Sequence, residues 1–268
     1  MPGKAHHRKP SSHTSHAKDA PKSQTIEEMV QAREPETLKA AAAHPGMTED
    51  IALAFLTRRD LPPVALEALT KNGSAIKHRR VMAAIVAHVK TPRHVSLPIA
   101  RHLYTFELLQ IALTPAVPAD VKRAVEDAIT MRLESISTGE RLALAKRGST
   151  RIAAALLFDQ EPGVMQAALV NPFMTEVWIV KAIMSKDASP ELVGEVSRHV
   201  KWSLRKEIRI ALLKNDKTPL GRVLAFAQSM SAPVLREVLA TSRLNAKVKE
   251  YLTKELETRK SYQLNLGS

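Results

Sequence analysis

The stretch EPGVMQAALVNP, residues 161–172, decides how the rest of the chain is read. It spells one short helix closed by Asn171-Pro172, because the residue before a proline is pushed out of the helical region. A second version, EPETLKAAAAHP, stands at residues 34–45, an offset of 127. At that offset Met47-Thr48-Glu49 falls on Met174-Thr175-Glu176, Asp60 on Asp187 and Pro63 on Pro190. Lys90-Thr91-Pro92 falls on Lys217-Thr218-Pro219, Leu108 on Leu235 and Val121 on Val248. Apolar character persists where identity is lost: Val81 pairs with Ile208, Ile85 with Leu212 and Val125 with Leu252. A register held without a gap over so long a stretch marks a tandem duplication, and repeats settle the architecture before any other signal.

The prolines reveal a finer period. Pro35, Pro63, Pro92 and Pro118 are spaced by 28, 29 and 26 residues, and Pro162, Pro190 and Pro219 by 28 and 29. Each such unit holds two short helices. A proline at a helix start has its φ pre-set and gives up an amide that would go unpaired there. Helices are expected at 25–33, 35–43, 48–58, 63–71, 77–89, 92–102, 105–113, 118–135, 138–147 and 150–159. In the second half they are expected at 162–170, 175–186, 190–199, 202–214, 219–229, 232–241 and 245–260. No segment alternates with a period of two over a strand's length. Even TEVWIVKAIM, residues 175–184, repeats its apolar positions at helical spacing. A pair of short helices cannot bury its own apolar face and must stack on the next pair. The expectation is an all-α chain, an α-solenoid of helical hairpins: a first half at 25–150 and a second at 151–260, stacked in series on one continuous core.

Composition agrees. Aromatic residues make up only 4% of the 268, so the core must come from Ala, Leu, Val, Ile and Met. The absence of Cys removes disulfides, thiolate nucleophiles and Cys-based metal sites. Residues 1–24 have no apolar core to serve as a secretory signal. The longest apolar run, IAAALLF at 152–158, is far short of a membrane span. A cytoplasmic protein is expected. Residues 1–24 are rich in Pro, Ser, Lys and His and bury nothing that would offset ordering entropy, so a disordered tail is expected there. Residues 261–268 are expected to form a flexible end. The net charge is +13, of which the tail supplies +4, leaving +9 for the body. So basic a body suits an anionic partner or simply a well-solvated surface.

At this point DQEPGVMQAALVNP, residues 159–172, resembles the leucine-rich-repeat-variant and HEAT-like bacterial repeats. In those, an Asp, a Pro or small residue, a Val and an Asn-Pro stop punctuate paired short helices. The resemblance implies a HEAT-like solenoid. It implies no activity, because function resides in sites grafted onto folds.

Few residues point to chemistry. Lys201, Arg205 and Arg209 follow i, i+4, i+8, with Arg198 and Lys206 beside them, and Lys77, His78, Arg79 and Arg80 stand in the duplicate helix. On one concave face these would form twin basic ridges able to meet phosphates, with Trp202 placed to stack on a base. The competing readings are a solvated helix face and a tryptophan that packs between repeats. Asp60, Asp159 and Asp187 read as turn or capping residues. The histidines show no HExxH and no ligand triplet, so neither metal nor cofactor is expected. Nor is there a glycine-rich phosphate loop or nucleophile elbow. The expected role is a non-enzymatic scaffold presenting a concave surface to a macromolecule, most simply a protein. A polyanion-binding solenoid is the alternative, and an enzyme resembling the HEAT-like DNA glycosylases a remote one.

Overall fold

A computed structural model of the chain describes residues 25–241, 244 and 246–266. The expected tail at 1–24 lies outside the described residues. The first helices are α1 (Ile26–Gln31), α2 (Pro35–Ala43), α3 (Glu49–Leu56), α4 (Pro63–Lys71), α5 (Gly73–Ile76) and α6 (Arg79–Ala87). There follow α7 (Arg93–Ala100), α8 (Thr105–Leu113), α9 (Ala119–Thr130), α10 (Thr138–Arg147), α11 (Thr150–Leu156) and α12 (Pro162–Leu169). The last are α13 (Glu176–Met184), α14 (Pro190–Arg198), α15 (Lys206–Lys214), α16 (Leu220–Ser229), α17 (Ala232–Thr241) and α18 (Ala246–Leu266). Among the described residues there is no strand, and no helix long and apolar enough to cross a membrane. The C-terminal segment expected to be flexible begins inside α18, whose backbone runs on to Leu266.

Seven helices of the first half start 127 residues before seven of the second: α2 with α12, α3 with α13, α4 with α14, α6 with α15, α7 with α16, α8 with α17 and α9 with α18. Sequential neighbours pack as hairpins, as in α6 on α7, α8 on α9 and α17 on α18. Alternate helices also pack, as in α2 on α4, α3 on α6, α10 on α12 and α13 on α15. Helix starts follow the sequence signals. Pro35, Pro63, Pro162 and Pro190 are the first residues of their helices, while Pro92, Pro118 and Pro219 are N-caps. Thr25 and Ser137 close capping boxes with Glu28 and Glu140.

The helix ends use a different device. No described residue has positive φ, so none of these helices ends on the left-handed residue common at C-termini. Instead a side chain at the helix end accepts a hydrogen bond from the amide two residues on. Asn72 Oδ1 takes it from Ser74, Asn171 Oδ1 from Phe173 and Asn215 Oδ1 from Lys217, at 3.0, 2.8 and 2.8 Å. His44, His88 and His199 do the same through Nδ1, with Gly46, Lys90 and Lys201 donating at 3.0, 3.2 and 3.2 Å. At the 127-residue offset His44 pairs with Asn171, Asn72 with His199 and His88 with Asn215. Asn and His interchange because each has an acceptor for the turn amide and a second polar atom for a preceding helix. Asn215 Nδ2 donates to Ile183 O at 2.6 Å, and His88 Nε2 lies 2.7 Å from Arg58 O. With Nδ1 accepting, Nε2 carries the proton and donates. Similarly, Thr91 Oγ1 donates to Ile85 O and its counterpart Thr218 Oγ1 to Leu212 O, both at 2.6 Å.

Buried apolar side chains group into two adjoining clusters. One runs from Val30 to Ile85, the other from Val86 to Leu252. They meet on α6, with the half-buried Ile99 of α7 packed against both. The division therefore falls inside the first half, and the larger cluster runs through the boundary at 150/151. The junction coincides with a thinly packed α7. That helix buries only Ser96 and Ala100, whereas its counterpart α16 buries Val223, Phe226 and Ala227. Ser96 stands where Val223 stands in the second half, a polar residue in place of an apolar one.

Candidate functional site

The structure separates the residues expected to form the second basic ridge. The i, i+4, i+8 spacing puts Lys201, Arg205 and Arg209 on one face only if a helix spans all three. That helix does not begin at 202: α15 begins at Lys206, with Arg205 as its extended N-cap. Residues 201–204 form a turn, tied by Ser203 N donating to His199 O at 3.0 Å and by the His199 ring. Arg209 turns back to the fold: Nε donates to Ser203 O at 2.6 Å and Nη1 to Ser229 Oγ at 3.2 Å. Arg198 is paired with Glu195 at 2.8 Å, and Lys201, Arg205 and Lys206 are exposed. Trp202 cannot stack on a base. It is 2% exposed and its indole N–H donates to Leu169 O at 2.8 Å, with Lys201 Nζ 4.1 Å above its ring. It is buried against the end of α12.

The first cluster is largely neutralised. Arg79 makes a forked pair with Glu107 at 3.1 and 2.7 Å and lies over the Tyr104 ring at 3.3 Å. The Arg79 guanidinium holds the Glu107 carboxyl below its usual range. His78 and Arg80 both reach Glu49, at 3.2 and 3.6 Å, and Lys77 is exposed. The aspartates serve the fold. Asp60 receives Arg58, which also donates to Val30 O and Ala32 O, closing the end of α1. Asp159 accepts the Glu161 amide at 2.9 Å, and Asp187 accepts from Ser185 at 3.4 Å.

Concavity is found elsewhere, where the two halves meet. Two adjoining cavities of about 470 and 380 Å³ share Thr130, Ala155 and Phe158. The first is lined further by Leu133, Glu134, Arg141, Leu156, Asp159 and Gln160. The second takes Asp127 from α9, Arg151 and Ala154 from α11, and Trp178, Lys181, Ala182 and Ser185 from α13 and its end. Phe158, 40% exposed, stands between them. Met131 and Met184, next to lining residues Thr130 and Ser185, are 84% and 52% exposed.

The groove's charges are matched. Arg151 pairs with Asp127, and Arg141 Nε lies 2.7 Å from Asp159 Oδ2. The Arg141 N–H is not aligned with that oxygen, so charge rather than a hydrogen bond holds the contact. Its Nη1 and Nη2 donate to Ile136 O and Thr138 Oγ1 at 3.0 and 3.3 Å. Lys181 Nζ lies 4.8 Å above the Trp178 ring. The two-residue turn 148–149 between α10 and α11 fixes the wall. Gly148 is required there, since a Cβ would stand 2.5 Å from Leu144 O.

Residue-type motifs do not reveal this groove, because its polar members are unremarkable singly. The duplication does not single it out either: at the offset of 127 Phe158 falls on Gln31, Trp178 on Ile51 and Lys181 on Ala54, so the groove is a matter of side-chain substitution at matched positions. Among the described residues no group of three His, Cys, Asp or Glu is placed to hold a metal ion. Compared with known protein families, with curated proteins and with solved structures, the chain matches none.

Proposed function

We propose that the protein is a non-enzymatic scaffold, a HEAT-like solenoid that seats a segment of a protein partner in the groove between its halves. The carrying observation is the pair of adjoining cavities that share Thr130, Ala155 and the exposed Phe158. Clefts with an apolar body and a few placed polar groups are the usual form of a binding site. Aromatic side chains such as Phe158 and Trp178 anchor interfaces. Three carboxylates, Asp127, Glu134 and Asp159, stand with three cations, Arg141, Arg151 and Lys181. Such balance offers little attraction to a polyphosphate, which needs uncompensated cations. The polyanion alternative ranks below this reading because four of its ten residues face carboxylates and Trp202 is buried.

The test is affinity purification of the full chain, with and without nuclease, beside Phe158→Asp. The proposal expects a protein recovered with wild type, indifferent to nuclease and lost with the variant at unchanged thermal midpoint. Recovery that needs nucleic acid, or is indifferent to Phe158, would overturn it.

A further inference from the structure

One edge of the second half carries a surface that the fold does not require. The loops 148–149, 170–175 and 199–205 join successive helix pairs and are tied together. Thr150 Oγ1 donates to Phe173 O at 2.7 Å, and Trp202 Nε1 to Leu169 O at 2.8 Å. From these loops Val170, Phe173, Val200 and Leu204 stand 65%, 53%, 83% and 68% exposed. At the 127-residue offset the first half has Ala43, Gly46, Gly73 and Lys77. The flanking helices α2, α3, α4 and α6 match there, although α5 stands where 200–203 form a turn, and none of the four places carries a large apolar side chain, so packing of the matched helices does not demand them. Contiguous exposed apolar side chains mark an interaction surface.

We infer that this edge binds an anionic lipid membrane surface. Two observations select that partner. Val200 and Leu204 project from a loop and line neither of the two cavities described above, which suits a deformable surface into which side chains insert at the headgroup boundary. Lys201 and Arg205 are exposed on the same loop, and the three loops contain no carboxylate. Cations beside inserting apolar residues add attraction to the negative leaflet. The partner thus neutralises Lys201 and Arg205 while burying Phe173 and Leu204.

The test is co-sedimentation of the full chain with vesicles of phosphatidylcholine, alone or with about one lipid in three replaced by phosphatidylserine to supply a negative surface potential. Wild type should sediment with the anionic vesicles and not with the neutral ones. Lys201→Ala with Arg205→Ala should weaken partitioning about thirtyfold, the effect of two surface cations. Phe173→Ala with Leu204→Lys is the discriminating pair. It adds a cation while removing apolar insertion, so retention should fall if insertion matters and rise if charge alone acts. Thermal midpoints near wild type show that both pairs fold. Absence of wild-type binding would overturn the inference and leave the edge to a protein partner. Binding that both pairs leave unchanged would assign it to charge elsewhere in the chain and equally overturn it.

Discussion

Arg132 and Arg259, 127 residues apart, place their guanidinium groups on equivalent carbonyls. Arg132 Nη1 donates to Leu103 O at 2.7 Å and Nη2 to Arg101 O at 2.8 Å. Arg259 Nη1 donates to Met230 O at 2.5 Å, and Nη2 is shared between Ala227 O at 2.9 Å and Gln228 O at 3.2 Å. Leu103 corresponds to Met230 and Arg101 to Gln228 at the same offset. Both forks satisfy carbonyls left unpaired where α7 and α16 end. Arg132→Ala and Arg259→Ala should each destabilise by about 1.5–3 kcal/mol, the range for hydrogen bonds to charged groups. Lysine should rescue poorly, because it lacks the planar fork. Denaturant unfolding of the variants checks this; neutrality at either site would show that the forks are incidental.

Ile208 and Leu212 are fully buried on α15 and correspond to Val81 and Ile85 on α6. Truncating either to alanine should cost about 2–5 kcal/mol, combining lost burial with a cavity. Urea unfolding measures the loss.

Ser96 is fully buried, and its hydroxyl donates to Arg93 O at 3.3 Å. Because the second half accepts valine there, Ser96→Val should raise the unfolding free energy by about 1 kcal/mol for the added apolar burial, read by urea unfolding. A loss of stability would mean that the neighbours of α7 leave no room for the larger side chain.

His199 supplies a pH dependence. Burial, and then the nearby Lys201 charge, push its pKa below the ordinary histidine value, with Glu195 acting in the opposite direction. Between about 6.5, the unfolded value, and the lower folded value, only the unfolded chain takes up the proton. The contribution is therefore present above about pH 6.5 and is lost as pH falls through that window. His199→Asn, the residue its counterpart Asn72 already has, should keep the turn hydrogen bond and flatten the dependence. Thermal midpoints of both proteins from neutral to mildly acidic pH test it.

Much of the fold was legible because its signals are local. A proline marks seven helix starts, and Asn or His the turns that follow many helices, and these depend on neighbouring residues alone. The start of α15 was less so, since a side chain three residues before Trp202 holds residues 201–204 in a turn that periodicity reads as helix. The site was hardly legible. Glu49 and Glu107 lie far in sequence from the cations they neutralise, and nothing adjacent to Arg79 announces Glu107. Likewise the groove joins Asp127, Phe158 and Trp178 across three helix pairs, an assembly created by stacking.

The most direct test of the scaffold reading is photo-cross-linking from the groove. Benzoylphenylalanine replaces Phe158 in one protein and, in another, Tyr104, an exposed aromatic of the first half. Both are irradiated in lysate and treated with nuclease. The account predicts a discrete protein adduct from position 158 that survives nuclease and is absent from position 104. No adduct at 158, a nuclease-sensitive one, or the same adduct from both positions would contradict it.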